Sequence, residues 1–329
     1  MKHLLPQKTQ YKTALHCHST VTDGKLTPIE LKTRYKEKGF SAVAYTDHDI
    51  FIRHNDLSDS DFVALNGYEL TVKSLSPAEH TGAYQKVYHF CFIARSPETE
   101  AMVCFSPEYC TVGNVREHLP FVTYTGGIYT RTYSSDGAND IIRCGNENGF
   151  LVAYNHPRWS LQTAEDYAPL RGLTAVEIYN EDARKNGDCN AEPYDTMLRS
   201  GIRPLFPIAT DDAHKEEHIG CGFVMLAADK LSYTALTDAY ASGDFYASTA
   251  PVIHAIDTED GAVTLKTSPA REIIMRTDSR IAKSKTSRIG GDITEATFKL
   301  PNTRYVRFEV YDRDGNTAWT RAYFRDEWE

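Results

Sequence analysis

The stretch that decides the fold is Leu15-His16-Cys17-His18, followed a short way downstream by Asp23-Gly24. Successive side chains of an extended segment point to opposite faces, so His16 and His18 share one face and Cys17 points to the other. A same-face pair of imidazoles can deliver two nitrogen ligands to one metal ion. An H-x-H triplet is short, and a strand with two surface histidines has the same pattern. Taken alone, the triplet therefore leaves both interpretations open.

The same arrangement recurs along the chain, because short apolar runs repeatedly lead to a polar residue that can bind a metal. These runs lead to Asp47-His48-Asp49, to Glu69, to His89, to Asn155-His156-Pro157, to Glu177 and Asn180, and to Asp211-Asp212-Ala213-His214. Enzymes built as barrels of parallel strands gather their chemistry at one rim in this way. The pattern predicts an α/β barrel with a metal site at its rim.

Local signals predict where the covering helices begin and end. Thr27-Pro28-Ile29-Glu30 is a capping box with proline at the first helical position, and the helix that it starts should end at Gly39. A second helix is expected from Asn190 to Ser200, closed by Gly201.

Two segments depart from the barrel rhythm. Residues 95–145 are rich in Ser, Thr, Tyr and Gly and are expected to be an insertion that shapes the substrate site, with Arg131 and its neighbouring tyrosines as substrate contacts; a plain surface excursion is the alternative. After residue 250 the sequence alternates apolar and polar residues between turns such as Asp260-Gly261. We therefore expect a barrel over residues 1–250 and a small antiparallel β-sandwich over residues 251–329.

Composition narrows the class of protein. The chain has 329 residues, 41% of them hydrophobic and 25% charged, and no apolar run long enough for a signal peptide or a membrane span, which predicts a soluble, cytoplasmic protein without a membrane partner. Seven cysteines without a C-x-x-C pair predict reduced thiols. A formal charge of −9 disfavours nucleic acid as a partner but allows an anionic substrate, since bound divalent cations can make one pocket locally positive.

In order along the chain, these residues resemble the motifs of the PHP (polymerase and histidinol phosphatase) superfamily. The matching motifs are H-C-H-x4-D-G, T-D-H-D, G-Y-E, V-Y-H-F, N-H-P and D-D-A-H, and they fill nine ligand positions: His16, His18, Asp23, His48, Glu69, His89, His156, Asp212 and His214. The resemblance spans about residues 14 to 250 and implies a distorted, TIM-barrel-related (β/α) barrel of seven parallel strands. The C-terminal part resembles a branch with an appended β-domain, which includes carbaryl-hydrolase-like metallohydrolases.

The resemblance also implies how the ligands are grouped. His16, His18, Glu69 and Asp212 would hold one metal; Glu69 would bridge to a second, held also by His89 and His156; Asp23, His48 and His214 would hold a third. His80 competes with His89 for the middle position, and His89 is preferred because it lies in an apolar, strand-like run. Two or three divalent ions are expected, and the mixed nitrogen and oxygen ligands suit zinc, manganese and iron alike.

Such a centre predicts a hydrolase of the ester-cleaving class, EC 3.1. Two divalent ions can share a water, bring its pKa towards neutrality and so supply a metal-bound hydroxide for attack on phosphorus or on a carbonyl carbon. Glu69, Arg158 and Asp211 are the candidate catalytic residues, with Asp47 and Asp49 as orienting partners. The favoured function is a phosphoesterase acting on a small phosphorylated substrate; the alternatives are a carboxyl-ester or carbamate hydrolase with the same metals and an inactive metal-binding scaffold.

Overall fold

The computed structural model describes residues 1–74, 85–286 and 291–329 and has a mixed α/β architecture rich in strands. Its strands are β1 (Lys2–His3), β2 (Thr9–Ala14), β3 (Ala42–Tyr45), β4 (Val63–Lys73), β5 (Val87–Ala94), β6 (Phe150–Tyr154), β7 (Ala175–Asn180), β8 (Phe206–Thr210), β9 (Phe223–Ala228), β10 (Phe245–Ser248), β11 (Ile253–Glu259), β12 (Ala262–Ala270), β13 (Glu272–Thr277), β14 (Lys283–Thr286), β15 (Ile293–Lys299), β16 (Tyr305–Tyr311), β17 (Thr317–Thr320) and β18 (Tyr323–Phe324). Its α-helices are α1 (Pro28–Glu37), α2 (Val115–His118), α3 (Ser135–Glu147), α4 (Ala164–Tyr167), α5 (Glu192–Arg199), α6 (Tyr233–Ser242) and α7 (Arg325–Trp328).

Most strands belong to one long open sheet, and among the described residues the predicted distorted barrel is not closed. The order is β14-β13-β16-β17-β10-β9-β2-β3-β4-β5-β6-β7-β8, with β18 beside β16. Strand β9 pairs antiparallel with one edge of β2, from Thr9 with Ala228 to Thr13 with Val224. That edge is therefore not available for pairing with β8. After β2 the chain no longer pairs with β9. There Cys17 forms an isolated bridge to Ala213, and the backbone amide of His18 donates to the Ala213 carbonyl at 3.0 Å. The seven strands β2 to β8 therefore curve towards closure without completing it.

The strand directions also differ from the prediction of an all-parallel sheet. Strands β2, β3 and β4 run parallel, as do β6, β7 and β8, but β5 is antiparallel to both of its neighbours. The start of an antiparallel strand lies at the same edge of a sheet as the carboxyl ends of its neighbours. His89, the third residue of β5, therefore lies at the rim that the parallel strands reach with their ends.

The two helices expected from capping signals are confirmed. Thr27 caps α1 in a complete capping box with Glu30, and the chain leaves the helix through Gly39 at φ +78°. Helix α5 is followed by Gly201 at φ +85°. Both glycines adopt the left-handed conformation that residues with a Cβ avoid.

The C-terminal part consists of antiparallel strands, as expected. A second, four-stranded sheet of order β1-β11-β12-β15 and the strands β13, β16 and β17 of the large sheet enclose a shared apolar core. Leu4, Leu5 and Tyr246 join this core from outside residues 251–329. The division at residues 250 and 251 stays a prediction, and the contacts show that both sides of it share one sheet.

The expected insertion lies against the rim. The Asn114 amide donates to the Thr22 carbonyl at 3.0 Å, in the loop that carries Asp23, and Met102 bridges to Tyr124 within the segment. No helix in the described ranges is long and apolar enough to cross a membrane. All seven cysteines are unpaired.

Candidate metal centre

The rim gathers seven of the predicted ligands from the starts of strands or the segments that follow them, one from the interior of β4 and one from a loop. His16 and His18 follow β2, His48 follows β3, Glu69 lies in β4, His89 lies in β5, His156 follows β6, Asp212 and His214 follow β8, and Asp23 lies in the loop after His18. Eight of the nine fall into three groups, each with its ligand atoms within 4.8 Å of one another: His16, His18 and Glu69; Glu69, His89 and His156; and His18, Asp23, His48 and His214. A fourth such group consists of Asp182, His214 and His218, and Asp212 contacts His16 and His18. The structure brings all nine together, and their roles as ligands stay predictions.

Glu69 is the centre of this arrangement. Its carboxylate is completely buried, and it lies 3.0 Å from His48 Nδ1 and 3.2 Å from both His89 Nδ1 and His156 Nε2. His16 Nε2 lies 3.3 Å from the same carboxylate. One buried carboxylate at contact distance from four imidazoles is the geometry of a bridging ligand.

Asp212 supplies the second shared carboxylate. Its Oδ1 lies 3.0 Å from His18 Nε2 and 3.3 Å from His16 Nε2. At the other side of His18, Asp23 Oδ2 lies 3.7 Å from His48 Nε2 and 3.6 Å from His214 Nε2. Asp212 thus connects the first and third groups, as Glu69 connects the first and second.

Whether these residues fit metal ions can be judged from the buried polar atoms of the cluster that have no hydrogen-bond partner. Buried polar atoms are normally hydrogen-bonded, and exceptions require an explanation. Six buried atoms of this cluster have no hydrogen-bond partner in the structure: His18 Nδ1, Asp23 Oδ1, His48 Nδ1, Glu69 Oε2, His89 Nδ1 and Asp212 Oδ1. Nitrogen and oxygen ligand atoms that lie within 4.8 Å of one another, several of them without a hydrogen-bond partner, form a donor set that fits divalent metals.

The neighbours of the histidines fix which ring nitrogen faces the cluster. His16 Nδ1 lies 2.8 Å from Glu177 Oε1, and because a carboxylate only accepts, Nδ1 must carry the proton. His214 Nδ1 likewise donates to the Asp212 carbonyl at 2.9 Å. In both residues the lone pair is left on Nε2, which points at the predicted metal positions.

Glu177 is buried and accepts from four groups. Besides His16, it accepts from the Thr210 hydroxyl at 2.7 Å, the Asn180 amide at 2.8 Å and the His156 backbone at 2.9 Å. The rim position predicted for Glu177 and Asn180 is therefore occupied by a positioning network, in which Asn180 also donates to Asp212 at 3.1 Å.

The predicted orienting carboxylates act through loops. Asp47 accepts from the amide and hydroxyl of Ser19 and from the Thr22 hydroxyl, all within 2.8 Å, and so holds the loop that leads to Asp23. Asp49 accepts from the Thr71 amide at 3.1 Å and forms an ion pair with Arg131.

Arg131 was expected to contact substrate, and the structure shows that this is wrong. Its guanidinium is buried, donates to the carbonyls of Thr71 and Cys104, and lies over the Tyr109 ring at 4.6 Å. Because its guanidinium is hydrogen-bonded to Asp49, Thr71 and Cys104 and is buried, Arg131 anchors the insertion to the rim.

The other two catalytic candidates lie behind or beside the cluster. Asp211 is buried, and its carboxylate accepts from the amides of Gly220, Cys221 and Gly222 at 2.8 Å each. Burial raises the pKa of Asp211 to about 6. Arg158 is half-exposed and lies 4.0 Å from Glu192, outside the cavity wall. Neither residue contacts the cavity in this structure, and a catalytic role for either stays a prediction.

Three rim residues adopt a backbone conformation that side chains disfavour. Asp49, His156 and Asp212 have φ angles of +56°, +23° and +47°. Strained backbone persists where surrounding contacts impose it and is concentrated at functional sites. Here the strained conformation occurs shortly after the ends of three strands, at the predicted ligands His156 and Asp212 and at Asp49, which pairs with Arg131.

The charges of the cluster are strongly coupled. Burial lowers the pKa of His18 to about 4, assisted by His48 and His214. Burial also disfavours a charged His48, but the contact with Glu69 outweighs it and raises the pKa of His48 to about 9. The pKa of Glu69 lies well below its usual value, because the surrounding imidazoles outweigh the effect of burial. Glu69 is therefore an anion at neutral pH.

A cavity of about 400 Å³ opens onto the cluster. Its wall includes five carboxylates and one lysine: Asp23, Asp49, Glu69, Asp182, Asp212 and Lys73. Sequence reasoning missed Asp182, Lys73 and Trp159 in this wall; Trp159 directly follows Asn155-His156-Pro157-Arg158, and this proximity was the available signal. His80, the competitor of His89, lies outside the described residues.

Comparisons with known proteins give structural neighbours only. No protein-family model and no curated protein matches the sequence. A two-domain protein from Bacteroides vulgatus containing a predicted PHP-like metal-dependent phosphoesterase is 15% identical, with 98% of both chains covered and a TM-score of 0.43. PsfC from Pseudomonas syringae is 13% identical over 71% of this chain and 88% of its own, with a TM-score of 0.42. An amidohydrolase from Chromobacterium violaceum is 17% identical over 62% and 87%, with a TM-score of 0.34.

A PHP-like protein is thus among the structural neighbours. Likeness of this degree does not transfer an activity. The function has to be argued from the site itself.

Proposed function

We propose that the chain is a metal-dependent hydrolase, specifically a phosphoesterase that acts on a small phosphorylated molecule. The observation that carries the proposal is the contact of the buried Glu69 carboxylate with the imidazoles of His16, His48, His89 and His156, at 3.0 to 3.3 Å. Bound divalent ions would lower the pKa of a water ligand and neutralise negative charge on the substrate.

The charge of the cavity supports an anionic substrate only together with metals. Its wall holds five carboxylates and a single lysine, Lys73, which without cations would repel a phosphate ester. Of these carboxylates, Asp49 is already paired with Arg131. With two or three divalent ions bound, the same cavity becomes locally positive and attracts phosphate.

The chain's own residues hold the centre in place. Glu177 keeps the His16 ring in the orientation that presents Nε2, and Ser160 lies 3.2 Å from His156 Nδ1 and steadies that ring. Asn155 donates to Glu69 Oε1 at 2.7 Å and restrains the bridging carboxylate. Such orienting contacts let the ligands bind without rearrangement.

The function is tested by metal analysis joined to a substrate screen. The purified chain should contain two or three divalent ions by plasma mass spectrometry, and loaded with manganese, zinc or iron it should release phosphate from phosphate esters. Glu69→Gln should lower turnover by about 10²- to 10³-fold, because a bridging carboxylate accounts for several kcal/mol of charge stabilisation. The exposed Glu192→Gln serves as the matched control.

The outcomes separate the competing functions. Release of p-nitrophenol from the acetate ester but from no phosphate ester would replace the phosphoesterase with a carboxyl-ester or carbamate hydrolase. Absence of metal together with absence of activity after metal addition would leave a binding scaffold. Near-normal turnover in Glu69→Gln, with circular dichroism showing an intact fold, would contradict the placement of Glu69 at the centre.

A further inference from the structure

Trp159 is a large apolar side chain that the fold leaves uncovered beside the metal centre. It is 43% exposed, yet its ring lies 5.0 Å from the His156 ring and 5.5 Å from the His89 ring, measured between centroids. Both histidines belong to the group around Glu69. An indole at this position lies next to any molecule that binds at that group.

The backbone holds Trp159 in place independently of its side chain. The amides of Arg158 and Trp159 both donate to the buried carboxylate of Asp188, at 3.0 and 2.7 Å. The Leu161 amide closes the turn on the Arg158 carbonyl at 3.0 Å. Because backbone hydrogen bonds fix the turn, the indole is not needed to hold it, and the exposed part of its apolar surface is available to a ligand.

Part of the cavity wall differs in chemistry from the metal cluster. Val87, Tyr109, Val112 and Trp159 line it with apolar and aromatic surface, whereas the ligands form its polar part. A pocket with a charged reactive part and an apolar, aromatic wall fits a substrate with the same division. A small alkyl phosphate would leave this wall in water.

We infer that Trp159 is a specificity-determining residue whose indole stacks on a planar aromatic or heteroaromatic group of the substrate, the phosphate of which binds at the metals. This inference rests on the proposed phosphoesterase function. Aromatic pairs prefer offset-stacked or edge-to-face contact, and such a contact corresponds to about 5- to 10-fold in affinity. The substrate class is therefore an aryl or heteroaryl phosphate rather than an alkyl phosphate.

Binding of two non-hydrolysable probes tests this without relying on turnover. Titration calorimetry compares phenylphosphonate with methylphosphonate on the manganese-loaded chain. The unmodified protein should bind phenylphosphonate about 5- to 10-fold more tightly, Trp159→Ala should bring the ratio to within about twofold without weakening methylphosphonate, and Trp159→Phe should restore most of it. Leu161→Ala, in the same turn and 46% exposed, is the matched control and should keep the full ratio.

Each remaining outcome has a distinct meaning. An unchanged ratio in Trp159→Ala, or no preference in the unmodified protein, overturns the role of Trp159 and leaves the phosphoesterase proposal standing. Binding of neither phosphonate, together with no phosphate release from any ester, overturns both. Loss of methylphosphonate binding in Trp159→Ala would show that the variant disturbs the metal centre, which also contradicts a role confined to specificity.

Discussion

At the scale of single residues, Glu177 shows how a side chain without a place in any ligand group can control the centre. Its carboxylate accepts four hydrogen bonds, from His16, Thr210, Asn180 and the His156 backbone. A glutamine has one acceptor oxygen and brings two N–H donors into a site where every neighbour donates. The substitution therefore disturbs His16 and His156 together.

We expect Glu177→Gln to weaken metal binding by about 10- to 100-fold, the usual cost of losing a partner that orients a metal-binding histidine. Competition with a chelator measures this affinity directly, apart from turnover. The exposed Glu165→Gln on α4 is the control and should bind metal normally. Unchanged affinity in Glu177→Gln would mean that backbone contacts alone orient His16.

At the scale of elements, the insertion is docked on the loop that carries Asp23, and Gly113 is its closest point of contact. A Cβ at Gly113 would lie 2.0 Å from the Thr22 carbonyl oxygen, and the residue has φ +55°. Neither the backbone of Thr22 nor that of Asp23 can move without disturbing the rim. Gly126, in the same insertion, has φ +79° but open space around the position of a Cβ.

We expect Gly113→Ala to lower the free energy of unfolding by about 1–3 kcal/mol and to weaken metal binding, since it displaces the loop that holds Asp23. Gly126→Ala carries only the cost of the left-handed backbone and serves as the matched control. Thermal unfolding with and without manganese measures both effects. Equal effects of the two substitutions would show that backbone conformation, and not the contact with Thr22, decides the outcome.

How much could be predicted from the sequence depends on how far apart along the chain the interacting residues lie. The α1 cap at Thr27 and the positions of His48 and His156 just after short apolar strands are local features, and the sequence predicts them correctly. Arg131 was misplaced because its partners, Asp49 and the Thr71 carbonyl, lie about 60 to 80 positions away along the chain. Polarity indicates that a residue needs partners and does not indicate where they are.

At the scale of the whole molecule, the same limit explains the barrel. The pattern of apolar runs does not reveal that β9 returns antiparallel to β2 and occupies the edge that β8 would need for closure. Through β10 and β17 this pairing extends the sheet into the C-terminal strands. A distorted barrel with an appended β-sandwich was expected; in the described residues the large sheet continues into the C-terminal strands β13, β14, β16 and β17, and a second, four-stranded sheet shares their apolar core.

A buried ion-pair network joins the two parts across that sheet. Arg307 of β16 donates to both carboxylate oxygens of Asp195 in α5, at 2.8 and 2.7 Å, and to Glu309 at 2.7 Å. Glu309 is 4% exposed and also accepts from Arg276 at 2.9 Å. Burial raises the pKa of Glu309, but the two arginines outweigh this effect, so the pKa lies below its ordinary value of 4.5.

The lowered pKa makes the network a source of acid sensitivity. A carboxyl group with a lower pKa in the folded state contributes stability that is fully present above its unfolded value and is lost as the pH falls through the folded value. The contribution of Glu309 should therefore be complete at neutral pH and disappear below pH 4.5. Glu309→Gln cannot titrate and leaves Arg307 with one carboxylate partner fewer.

We expect Glu309→Gln to lower the midpoint of urea unfolding at neutral pH. On acidification the midpoint of the variant should fall less than that of the unmodified protein, so that the two midpoints converge below pH 4.5. The exposed Glu295→Gln controls for the loss of one surface carboxylate and should follow the unmodified protein throughout. A constant difference between Glu309→Gln and the unmodified protein at every pH would mean that Glu309 contributes by packing alone. Convergence would show that the negative charge of Glu309, through its contacts with Arg307 and Arg276, stabilises the pairing of β13 with β16.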